Sequence, residues 1–307
     1  MKKQVIVTGG AGFIGHHLVK KLIINNYYPI IIDNFFNADS NNIKTLPQNK
    51  YTLIKCDIND SNLLNELQKF SAKILIHLAA IHFIPYCINH PQKTIETNVF
   101  GTQNVLKISE NLRIKKFIFS SSAAIYKPND IAHKESDPLS PIDTYGKSKL
   151  KAEELIKDFC NKKRIEYYIL RLFNVYGKNN LTSHFIPSVT ERFKKSDRIK
   201  VGNIETVRDY IYVEDVVNVI LKIIKKNSLN INHVYNIGTG KGHSGKEILS
   251  LLEKIFKTKV KITKDKKLAR KADRKFLLAN MDKICKSYKW QPNISLEEGL
   301  KKIIENE

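Results

Sequence analysis

The stretch VIVTGGAGFIGHHLV, residues 5–19, decides the fold. Its first four residues suit a buried strand, and an apolar pattern with helical spacing begins at Phe13. Between them stand Gly9, Gly12 and Gly15 in the spacing G-x-x-G-x-x-G. Glycines at a strand-to-helix turn let a phosphate approach the backbone over the helix N-terminus, where unpaired N–H groups and the helix dipole favour an anion. A dinucleotide cofactor is what such a turn holds. Asp33 then ends the second apolar run, 18 residues beyond Gly15. A carboxylate there accepts ribose hydroxyls and repels a 2′-phosphate, and residues 34–37 contain no Arg or Lys, so NAD is expected rather than NADP.

Working outward, apolar runs at 5–8, 29–33, 51–57, 74–80, 117–122 and 167–174 alternate with helical stretches near 15–24, 61–70, 94–110 and 148–163. Runs apolar on both faces belong in a parallel sheet covered by helices, an α/β doubly wound (Rossmann) architecture. Beyond Gly177 the rhythm weakens, which implies a smaller, interleaved C-terminal substrate lobe. The expected division is a cofactor domain over 1–174, with 207–238 returning to it, and a lobe formed by 175–206 and 239–307.

The formal net charge of +22 raises the question of nucleic acid. Only 8 of the 52 basic residues are Arg and the Lys residues are dispersed, the pattern of solvated faces rather than of base or phosphate readers, so no specific nucleic-acid partner is expected. Cys56, Cys87, Cys160 and Cys285 form no C-x-x-C, which argues against a zinc site or disulfide framework, and no metal is expected. The chain passes from Met1 directly into the first strand and has no apolar run of membrane-spanning length. A soluble, cytoplasmic protein follows as the expectation.

Tyr145 and Lys149 stand four apart in TYGKSK, which puts them on one helix face. A phenol of ordinary pKa near 10 is a poor base at neutral pH, and a neighbouring ammonium favours its ionised form. In FIFSSSAAIY, Ser122 ends a parallel strand, where a hydroxyl reaches the ligand crevice of a doubly wound sheet.

Taken in order, these segments resemble the extended short-chain dehydrogenase/reductase family, specifically its UDP-glucose 4-epimerase-like nucleotide-sugar enzymes. The resemblance rests on TGGAGFIG (8–15), HLAA (77–80), NVFGTQNVL (98–106), SSSAAIY (120–126), YGKSK (145–149), LRLFNVYG (170–177), VRDYIYVEDV (207–216), NIGTG (236–240) and the closing segment 290–300. It implies Tyr145 as catalytic base, Lys149 as its modulator and ribose ligand, and Ser122 as hydroxyl partner. It places Gly9, Gly12, Phe13, Ile14, Gly15, Asp33, Asn34, Asp57, Ile58, Leu78, Ala79, Ala80 and Asn98 on the cofactor side. Tyr126, Asn174, Arg208, Arg270, Asp273 and Leu277 fall to the substrate: Arg208 and Arg270 on the diphosphate, Asp273 near the nucleoside ribose, Tyr126 approaching the sugar and Leu277 walling its pocket.

The activity implied is NAD-dependent epimerisation at carbon 4 of a UDP-sugar, plain or N-acetylated, through a transient 4-keto intermediate. A homodimer through helices near 95–112 and 148–163 is likewise implied. Ala123 and Ala124 replace the acid pair of the family's dehydratases, which argues against 4,6-dehydration. Lys127, Lys271 and Ala272 depart from the family pattern on the substrate side, so a uronate epimerase, a decarboxylase or a ketoreductase is the alternative. A non-catalytic NAD-binding regulator would require a damaged Ser-Tyr-Lys set, and the set is intact.

Overall fold

A computed structural model describes residues 2–180, 182–226, 232–265, 268 and 274–305. Six strands, β1 (Lys3–Thr8), β2 (Tyr27–Asp33), β3 (Thr52–Lys55), β4 (Ile74–His77), β5 (Lys116–Ser122) and β6 (Glu166–Leu172), join strand Asn232–Ile237 in one seven-stranded sheet. Its order is β3-β2-β1-β4-β5-β6 and then 232–237, and β1 pairs in parallel with both β2 and β4. The order reverses between β1 and β4, where ligands of such sheets bind beyond the strands' C-terminal ends. Ile6, Ile30, Leu75, Phe117 and Ile169 of the strands pack with Leu63, Leu67, Val105 and Ile156 of the helices in one buried core. The doubly wound α/β expectation is met.

The chain forms two compact units. The first comprises Met1–Ile125, Pro141–Arg171 and Val217–Tyr235, and the second Tyr126–Ser140, Leu172–Val216 and Asn236–Glu307. The expected return at 207 thus comes later, at 217. Strand Val207–Tyr212 belongs to the second unit because its hydrogen-bonding partners are Asn174–Tyr176, Gly242–Ser244 and Phe276–Leu277. Segment 126–140 also leaves the first unit: His133 N–H donates to the Leu278 carbonyl, and Asn280 N–H donates to that of His133.

In the second unit Asp209, fully buried, organises the NIGTG turn. It accepts from Thr239 N (2.7 Å), Thr239 Oγ1 (2.7 Å), Gly240 N (2.8 Å) and Ala279 N (3.2 Å). Two sequence motifs thereby become one hydrogen-bonded structure. Among the described residues no helix is long and apolar enough to cross a membrane, and no cluster of side chains could hold a metal ion.

Candidate active site

The glycine turn follows β1 and opens helix Phe13–Ile24. Gly9 has φ +69°, and a Cβ there would lie 2.6 Å from the Ala79 nitrogen, so the turn and the β4 end meet at backbone distance. The helix has no side-chain N-cap and no acidic residue in its first turn. Its leading N–H groups are therefore suited to an anion, and the residues present fit a dinucleotide diphosphate.

Asp33 works on this turn from β2. Its carboxylate accepts from Ala11 N and Phe35 N, each at 2.9 Å, and also from Gly12. Burial raises its pKa while these three backbone donors oppose the rise. Asn34 Nδ2 donates to Asp57 (2.7 Å), and Asn104 Nδ2 donates to the carbonyl of buried Ile58 (2.7 Å). Thus Asp33, Asn34, Asp57 and Ile58 assemble at the ends of β2 and β3. Phe13 and Ile14 lie in the first helical turn, and Leu78 to Ala80 follow β4.

Asp143 caps helix Thr144–Lys163 by accepting from Gly146 N (2.8 Å), which puts Tyr145 in the first turn. The phenol is hydrogen-bonded to Ser122. Lys149, one turn on and 3% exposed, donates through Nζ to the Ser120 carbonyl (2.8 Å) and lies 4.6 Å from the centre of the Phe119 ring. The three expected catalytic residues are brought together. Their electrostatics differ from the expectation that the ammonium governs the phenol: burial dominates, raising the Tyr145 pKa well above its ordinary value, while the Ser122 hydrogen bond lowers it. Burial also brings Lys149 down to about 7, poising it between ammonium and amine at neutral pH. The positive end of the helix at Tyr145 supplies a second influence toward phenolate.

Asn98 sits in a π-turn, Glu96–Phe100. Its amide oxygen accepts from Ile81 N (2.8 Å) and its nitrogen donates to Ile81 O and Ser148 Oγ, each at 2.9 Å. With both ends engaged inside the protein, Asn98 supports the helices on the cofactor side rather than facing a ligand itself. Tyr126 is corrected: it is fully buried, stacks on His133 at 4.4 Å and donates its hydroxyl to Asn236 (2.6 Å). Its phenol is packing, not a sugar contact. In the second unit Asn174 pairs with Tyr210 and Leu277 with Arg208. Arg270 and Asp273 lie outside the described residues.

Sequence reasoning missed a buried hydrogen-bond chain behind these groups. Thr102 Oγ1 donates to Asn98 O (2.7 Å), so it must accept from His77 Nε2 (2.9 Å). His77 Nδ1 is then the acceptor for the Thr8 hydroxyl (2.7 Å), which in turn accepts from Ala79 N (3.3 Å). From Asn98 the chain continues through Ser148 Oγ to the Tyr145 carbonyl (2.7 Å). It runs from the residue before the glycine turn to the catalytic helix.

Burial lowers His77 to about 3, and His16 and His82 to about 4. An unfolded histidine binds a proton below about 6.5, so between 6.5 and about 4 the unfolded chain holds more protons than the folded one. Stability therefore falls as pH drops through that window. Thermal unfolding followed by circular dichroism is expected to give a lower Tm at pH 4.5 than at pH 7, and an equal Tm would contradict the neutral assignment.

Also missed were Glu153 and Arg171, both at most 2% exposed. Arg171 donates to Glu153 through Nε (3.0 Å) and Nη2 (2.9 Å), and Ser121 Oγ adds a third bond (2.6 Å). The pair locks the catalytic helix to β5 and β6. Its one available signal was the spacing of Glu153 four residues past Lys149, easily taken for a solvated charge.

Residues 5–238 match the model of the NAD dependent epimerase/dehydratase family. The chain is 34% identical to a Methanocaldococcus jannaschii protein that carries the provisional name UDP-glucose 4-epimerase, over 98% of this chain and 97% of that one. Its fold is similar to the Thermotoga maritima UDP-glucose 4-epimerase solved with UDP-glucose (TM-score 0.89, 31% identity, 98% and 97% of the chains). It is also similar to the Bacillus cereus UDP-glucuronic acid 4-epimerase solved with UDP-glucuronic acid and NAD (TM-score 0.92, 27% identity, 98% of each chain).

Proposed function

Because the chain belongs to the NAD dependent epimerase/dehydratase family, an extended short-chain dehydrogenase/reductase group, we propose that it epimerises carbon 4 of a UDP-sugar through a transient 4-keto intermediate. It is an NAD-dependent nucleotide-sugar 4-epimerase-like enzyme. The observation that carries the finer reading is the Ser122–Tyr145 hydrogen bond, with Lys149 buried one helical turn away, at the C-terminal edge of the sheet that carries the glycine turn.

Bound NAD supplies a reversible two-electron acceptor for the carbon–hydrogen bond at sugar carbon 4. Gly9, Gly12 and Gly15 bring the backbone to its diphosphate, and Asp33 and Asn34 face the adenosine ribose. Tyr145 Oη, in its phenolate form, takes the proton of the sugar 4-hydroxyl as that carbon–hydrogen bond breaks. Ser122 Oγ, itself held by Ala124 N (3.1 Å), shares the proton and keeps the oxygen in place. When the ketone presents its other face, Tyr145 returns the proton and the configuration is inverted. Arg208 and Asn174 hold the diphosphate meanwhile, with Leu277 against the sugar. Ala123 and Ala124 carry no acid, so elimination of water has no proton donor there.

The uronate alternative keeps the same chemistry and is supported by the likeness to the UDP-glucuronic acid 4-epimerase. An NMR time course with UDP-galactose, UDP-N-acetylglucosamine and UDP-glucuronic acid tests the reading. Interconversion at carbon 4 of at least one is expected, with the preferred sugar showing what Leu277 admits. If none changes, the proposed reaction fails. Residence in the cytoplasm is part of the proposal, consistent with four free cysteines. A homodimer is also proposed, and a monomeric mass by light scattering would remove it.

A further inference from the structure

Strand Val207–Tyr212 has a neighbour on each side, and Arg208 is the register partner of both Leu277, in parallel pairing, and His243, in antiparallel pairing. Register partners place their side chains on the same face of a sheet. Leu277, Arg208 and His243 therefore form one row. Asp209, next in the strand, points to the opposite face, where the NIGTG turn buries it completely. The row of three thus faces away from that turn.

We infer that His243 is a further substrate-binding residue, its imidazole meeting the diphosphate of the nucleotide sugar beside Arg208. The inference rests on the proposed reading of Arg208 as a diphosphate ligand. The imidazole side chain is 30% exposed, so it is open to a ligand, and its Nδ1 lies 3.4 Å from Glu247 Oε2. That carboxylate is itself fixed, accepting from Ser244 N (3.0 Å) in the capping box of helix Gly245–Phe256. With Nδ1 turned toward Glu247, Nε2 is the ring nitrogen left for a ligand. Glu205 nearby is engaged by Lys246 (3.0 Å) and Lys264 (3.6 Å). The row then runs from an apolar wall through a guanidinium to an imidazole, a sequence that suits a sugar followed by its diphosphate.

Binding of UDP and of uridine, measured by ligand-observed NMR and calorimetry on the NAD-loaded full chain, tests this. His243→Ala is expected to weaken UDP about five- to tenfold and to leave uridine within twofold. His243→Arg should hold UDP affinity within about threefold of wild type, because a guanidinium at that place can also meet the diphosphate. Arg208→Ala is the reference, expected to weaken UDP at least tenfold. If Arg208→Ala loses UDP and His243→Ala does not, the inference fails while the diphosphate reading stands. If neither loses it, the reading of Arg208 falls and the inference with it. An equal fall for UDP and uridine in His243→Ala would overturn the diphosphate contact.

Discussion

Tyr145→Phe is expected to lower kcat by about 10²- to 10⁴-fold while bound NAD and the thermal transition stay near wild type. The substitution removes one oxygen and nothing else. That oxygen is the only phenol held by Ser122, and a positioned general acid–base contributes ~10²–10⁴ in rate. The ring keeps its place because the helix start is set by Asp143 and Gly146, and Lys149 keeps its bond to Ser120 O. Turnover on the sugar found active in the NMR screen, together with the cofactor absorbance of the purified protein, checks both halves. A loss below tenfold would move the base elsewhere. Loss of the cofactor along with activity would make Tyr145 a binding residue first.

The largest effect on stability is expected from Arg171→Met. The guanidinium holds both oxygens of a carboxylate that is completely buried, and removing it leaves the Glu153 charge with a hydroxyl from Ser121 and a long contact to Lys157 at 3.5 Å. Breaking a buried ion pair from one side typically costs about 3–5 kcal/mol. A fall in Tm of roughly 5–15 °C follows. The double variant Glu153→Gln, Arg171→Met removes the stranded charge and should recover much of that loss. If the single and double variants melt together, the pair is not the source of the cost. Because Glu153 lies one turn past Lys149, the single variant should also lower kcat more than it raises KM.

How much of this was legible in the sequence depended on whether a residue acts through local pattern or through distant partners. The glycine turn, Asp33 at the end of its strand and the Tyr145–Lys149 spacing are short-range signals, and each stands on the element the pattern implied: a strand-to-helix turn, the end of β2 and one helix. Strand Val207–Tyr212 was legible as a strand but not as a member of the smaller sheet, because its partners are three short segments far apart in sequence. Tyr126 was misplaced for a related reason. A tyrosine following the serine strand resembles a ligand contact until Asn236, 110 residues later, is seen to take its hydroxyl. His77 and Arg171 lie inside apolar runs, where sequence alone cannot say what satisfies a polar group; their partners are Thr8 and Thr102 for one and Glu153 for the other. The electrostatics of Tyr145 and Lys149 were hidden too, since spacing reveals proximity but not depth.

The chain from Thr8 through His77, Thr102, Asn98 and Ser148 has one direction only. Each hydroxyl has a single hydrogen, already committed, and the link at Asn98 is an amide that does not release its proton at physiological pH. Such a chain is rigid but non-conducting: no proton can hop along it from the interior to the Tyr145 helix. On this side the Tyr145 helix is joined to the interior without a proton path. An isomerase with no net change in protons or electrons is well served by a support that fixes this helix and carries neither.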